Sequence, residues 1–148
     1  ESKMTDKKLE EKIAEAEEHL PGVGDRLKSE FIKTIGGGYQ FDVTGVEYLE
    51  TGGHKVVAAK WQQECFAYGR SEIAEFVAAY FLSDEGELKV VVPEKIKVKD
   101  PRYFHRDRKD LIDKFPDVSL ESLAEDQVEV AWLGKDGKKG PSYVVDLK

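Results

Sequence analysis

One thiol and three imidazoles, Cys65, His19, His54 and His105, are the most reactive groups in this chain of 148 residues. Cys65 with His54 or His105 can in principle form a thiolate–imidazolium pair. A nucleophilic site also needs an orienting group and an oxyanion hole, and no local signature for either surrounds Cys65. The cysteine therefore reads as a small buried hydrophobe that thiol reagents do not reach. The histidines are dispersed and no Cys/His cluster has zinc spacing, so no metal and no other cofactor is expected. Glu64, Glu72 and Glu75 can supply paired carboxylates, but Glu72 and Glu75 open an expected helix and complement its dipole there. Gly36-Gly37-Gly38 precedes an expected strand, whereas a phosphate-cradling glycine loop follows a strand and opens a helix, so no nucleotide fingerprint is present.

Charge carries more information than reactivity. The formal net charge of −7 is unevenly spread, with nine basic and five acidic residues over 89–114, then five acidic and no basic residues over 115–131. In the first block Lys99, Arg102, Arg106, Arg108 and Lys109 stand beside Tyr103, Phe104 and His105. Such interleaving can hold a phosphate backbone and stack bases. Helical spacing also lets Arg106 pair with Asp110 and Lys109 with Asp113, which would make the run a solvated face. The acidic stretch Asp117 to Glu129 suits a basic protein partner.

The elements that must position these groups follow from periodicity. Leu9, Ile13, Ala16 and Leu20 repeat at helical spacing and predict a helix over 6–20, stopped by Pro21-Gly22. Val23, Leu27, Phe31 and Ile35 predict a second helix that runs to Gly36. Tyr39, Phe41 and Val43 alternate as in a strand, with Gly45 marking a bulge. Thr51-Gly52-Gly53-His54 reads as a hairpin turn into a returning strand to Trp61. A central helix is predicted from Ser71, with Ile73, Phe76, Val77, Tyr80 and Phe81 inward. Leu88 to Val92 read as a strand, 106–115 as a short helix and 119–125 as a helical turn. Val128, Val130 and Trp132 alternate before Gly134-Lys135-Asp136-Gly137, and Ser142 to Leu147 return as a last strand.

Between the first two predicted helices, Leu20-Pro21-Gly22-Val23-Gly24 resembles the hairpin of the helix-hairpin-helix family, over residues 9–35. The resemblance implies that backbone N–H groups at the start of the second helix contact a nucleic-acid phosphate. Gly22, Val23 and Gly24 match the hairpin, Arg26 a frequent basic position and Phe31 an apolar one. Lys28 departs from the small residue usual in the family.

The expected architecture is a single α+β domain over 1–148, in which two N-terminal helices pack with a mainly antiparallel sheet and a central helix. One core is expected to gather Leu9, Ile13, Phe31, Phe41, Val57, Phe76, Val77, Tyr80, Val91, Val130 and Trp132. The apolar stretches fall far short of a membrane span and residues 1–12 are too charged for a signal peptide, so a cytoplasmic location without membrane contact is expected. The leading functional expectation is a non-catalytic binding domain acting through a protein partner. The alternative is a nucleic-acid-binding module using the 21–26 turn and the basic segment, and the third is an enzyme whose site is assembled from distant positions. Oligomeric state is not legible.

Overall fold

The protein is described from a computed structural model, which covers the backbone of residues 2–28, 30–34, 37–67, 70–91, 104–107 and 115–148. Side chains are described for 7–28, 42–62, 76–91 and 115–148. Two helices, α1 (Ser2–His19) and α2 (Val23–Lys28), precede strands β1 (Glu30–Thr34), β2 (Gly37–Thr51), β3 (His54–Ala67), β4 (Arg70–Leu82), β5 (Leu88–Val91), β6 (Phe104–Asp107), β7 (Asp117–Ala124), β8 (Gln127–Leu133) and β9 (Lys139–Asp146). β1 to β5 follow one another in a sheet that β6 joins by pairing with β4, and β7-β8-β9 form a second sheet. All pairings are antiparallel.

The larger sheet is covered on both faces. Ala16, Leu20, Val23 and Leu27 of the helical layer pack on Val46, Val57, Ala59, Trp61, Phe76 and Tyr80. From the opposite face, Val56, Ala58, Val77, Ala79 and Phe81 meet Val118, Val128, Val130, Trp132 and Val145 of the second sheet. Three layers therefore enclose two cores, and the single core expected from the sequence is divided between them. Leu9, Ile13 and Val91 are half-buried at the margins, while Phe31 and Phe41 lie outside the residues whose side chains are described.

The expected α+β architecture is corrected to a mostly β fold. Residues 71–82 form β4 rather than a central helix. Phe76 to Phe81 are all buried because β4 is a middle strand with a layer on each face. A strand buried on both faces loses the alternation that identifies strands, and Phe76, Val77, Tyr80 and Phe81 then imitate a helical stripe. The second helix stops at Lys28, and Phe31 falls on β1, opposite Gln40. The pair of long helices implied by the helix-hairpin-helix resemblance is therefore not formed. Ser119 to Ala124 are strand, not a helical turn, and Phe104–Asp107 form β6 where part of a helix was expected. The rest of the 106–115 expectation lies mainly outside the described residues.

The sheets meet where β7 lies against β2. Gly45, at a bulge beside Val43, lets Asp117 approach so closely that a Cβ on Gly45 would stand 2.9 Å from the Asp117 Cα. Thr44 donates to the Pro116 carbonyl at 3.0 Å, and the Thr51 and Ser122 hydroxyls bond at 2.8 Å. The Gly52-Gly53 turn, with φ of 56° and 82°, fits against the Glu125 backbone. On the other side Tyr143 donates to the Val91 carbonyl at 3.1 Å, tying β9 to β5. None of the described helices is long and apolar enough to cross a membrane.

Candidate binding groove

At the expected phosphate-binding turn, the donors already have an acceptor within the chain. The Glu17 carboxylate accepts from Gly22 N–H at 3.0 Å and from Gly24 N–H at 2.6 Å, and Val23 N–H donates to the Leu20 carbonyl at 3.0 Å. A phosphate here would have to displace Glu17, which puts a negative charge at the positive end of α2. The Arg26 guanidinium lies 5.8 Å from the Tyr80 ring centre. Arg106 is on β6 opposite Ile73, and its side chain lies outside those described. Lys99, Arg102, Arg108 and Lys109 lie outside the described residues altogether.

Cys65 sits on β3 opposite Glu72, with no described side chain, and His105 is on β6 opposite Ala74. His19 stacks on Tyr48 with ring centres 4.1 Å apart. His54 reaches Asp126 at 2.7 Å, in the turn of the β7–β8 hairpin. Ser122 is nearby in the fold, which assembles the residue types of a hydrolytic triad. Its hydroxyl bonds to Thr51 and to the Ala124 carbonyl, however, and no bond joins it to His54 among the described residues. No group of three potential metal ligands occurs among the described residues.

The acidic run 117–129 is largely answered within the fold. Lys139 bridges Glu121 at 2.6 Å and Glu129 at 3.4 Å, and Asp126 takes His54 and Lys148. The His54 hydrogen bond, aided by Lys148, holds the Asp126 carboxyl below its ordinary value. A carboxyl lowered by folding contributes stability that is present above its unfolded value and is lost as pH falls through the folded one. Asp126→Asn should therefore show its full destabilisation at about pH 6, well above the unfolded carboxyl value, with the gap to wild type closing in strong acid as Asp126 itself becomes protonated. Urea midpoints at the two pH values check this. A gap independent of pH would show that the carboxylate charge is not what the pair uses.

An open groove lies along β2. Residues Asp42 to Thr51 pair with β3 on one side, but the β1 ladder ends at the Glu30–Phe41 pair, and no described strand continues it. α1 forms one wall and Asp117 of β7 the other. The floor is the β2 segment Thr44 to Tyr48, and the space divides into adjoining cavities of about 110 Å³ and 260 Å³ that share Lys12 and Val46. Lys12 crosses between them to Glu47 at 2.9 Å, with both side chains about two-fifths exposed. Burial disfavours the Lys12 charge, but the Glu47 hydrogen bond and the fields of Glu47, Asp117 and Glu15 outweigh it and raise its pKa. Tyr48 donates to Glu50 at 3.3 Å, and burial together with the Glu50 charge raises its phenol.

Of the groove residues, the sequence marked Leu9 as core, Gly45 as a bulge and Asp117 as part of the acidic stretch, but Lys12 and Glu15 look there like any solvated face of an amphipathic helix. Their role depends on α1 lying along the edge of β2, which local periodicity does not encode. No protein family's sequence model matches the chain, and neither a curated protein nor a solved structure is found to be similar to it.

Proposed function

We propose that this domain binds a protein partner without catalysing a reaction, and that the groove between α1 and β7 is its contact surface. One observation carries the reading: along Thr44 to Tyr48, β2 has a ladder on only one side among the described strands, within a cleft that has two walls. A strand edge offers backbone N–H and C=O groups to an extended segment, and flanking pockets select its side chains. The bulge at Val43–Gly45 and the Lys12 side chain blunt that edge, as natural edges are blunted against indiscriminate pairing, so engagement has to be selective.

Twelve-residue peptides selected by display on the immobilised protein test the reading. Bound peptides should shift the backbone amide resonances of Thr44–Tyr48 and of the facing turns of α1. Selected peptides that leave these amides unmoved, and shift β9 or the β4–β5 turn instead, would sink it.

A further inference from the structure

We infer that the groove takes a basic side chain from an extended segment of the partner, and that Lys12 is an internal occupant which that side chain displaces. This rests on the binding reading above and adds the chemistry of the partner.

Three carboxylates, those of Glu15, Glu47 and Asp117, surround the position where the Lys12 ammonium sits. Lys8 is the one further cation in the lining, so an anionic ligand would meet more repulsion than attraction. The Glu47 hydrogen bond and the fields of Glu47, Asp117 and Glu15 together outweigh burial at Lys12, in keeping with a cleft that favours positive charge. Tyr48, half-buried, lines the same cavity and offers surface along which the methylene stem of a long cationic side chain can lie.

Displacement is inexpensive. A half-exposed Lys–Glu pair contributes little to stability, and an arriving arginine can engage a carboxylate through two parallel N–H donors where lysine offers a point charge. Lys12 thus acts as a weak gate: it satisfies the cleft when the partner is absent and discourages ligands that bring no cation.

The test uses a fluorescein-labelled, end-blocked Gly-Arg-Gly-Arg-Gly peptide in an anisotropy titration at low ionic strength. Lys12→Gln should tighten binding by roughly three- to five-fold, the size of a surface ion-pair contribution. Lys7→Gln removes the same charge from an exposed position of α1 outside the groove lining, and should change affinity by less than about two-fold. Glu47→Gln should weaken binding by a similar factor to that gained with Lys12→Gln. Equal effects of Lys12→Gln and Lys7→Gln would reduce the result to net charge and overturn the inference, as would weaker binding by Lys12→Gln. Melting curves of all three variants confirm folding, and if Glu47→Gln does not fold, the two lysine variants still decide. If displayed peptides occupy the groove but carry no arginine or lysine that matters, the partner chemistry fails while the binding reading stands. If no peptide occupies the groove, both fail.

Discussion

Gly52→Ala is expected to cost about 3 kcal/mol or more and to lower the melting temperature by about 6–12 °C. Two independent penalties combine. The backbone at Gly52 has φ of 56°, in the left-handed region where a side chain is strained. The added Cβ would also run into the Glu125 carbonyl oxygen, with the Glu125 carbonyl carbon at 3.0 Å and Cα at 3.2 Å. These are backbone atoms of the opposing hairpin and cannot rotate away. Gly53→Ala isolates the first penalty, because φ there is 82° but nothing lies within 4 Å of the new methyl. It should cost only about 1 kcal/mol. Urea and thermal unfolding of the two variants measure the difference, and equal losses would mean that the contact between the hairpins is not tight.

Lys60→Ala should be about as damaging, at about 4 kcal/mol, whereas Lys60→Met should stay within about 1.5 kcal/mol of the wild type. Lys60 is fully buried on the face of β3 that meets the second sheet. Its ammonium donates to the Phe115 carbonyl and lies 4.9 Å from the centre of the Trp132 ring, which Phe115 meets edge-on at 6.1 Å. Truncation to alanine opens a cavity beside two large rings and also removes a donor from a carbonyl. Methionine keeps the volume and escapes the desolvation of a charge, so the loss of the donor and of the cation–ring contact is partly offset. Should methionine prove as harmful as alanine, the ammonium rather than the stem would be what anchors Phe115 at the entrance to β7.

Hairpins closed by explicit turn chemistry were legible from the sequence. Gly52-Gly53 marks β2–β3, Asp136-Gly137 marks β8–β9, and alternation locates Val128, Val130 and Trp132. The apolar stripe of α1 was equally clear, with Ala16 and Leu20 buried beneath it. What misled was burial on two faces. From Phe76 to Phe81 the residue type reports only that the position is buried, and tertiary context decides between helix and strand. Phe31 extended the helical spacing of Val23 and Leu27 by one step into what is β1. The division of the apolar residues into two cores was illegible for the same reason: Val56 and Val57 are neighbours in sequence but face different layers. The groove was hidden because it belongs to no single element, and Lys12, Glu15 and Glu47 are unremarkable until α1, β2 and β7 are juxtaposed.

The hydrogen bonds that join β2 and its turn into β3 to the second sheet also share a common arithmetic. Thr44 meets Pro116 across 72 residues, Thr51 meets Ser122 across 71, and His54 meets Asp126 across 72. Each sheet is by contrast built largely from chain-neighbouring strands, whose pairing needs only short loops. Closing a loop of this length costs about 4 kcal/mol of chain entropy before any local constant is added. The cost falls on whichever contact forms first. Because the later ones close no further loop of comparable length, they should follow cooperatively, so that the sheets join by zippering from one seeded encounter rather than by separate searches.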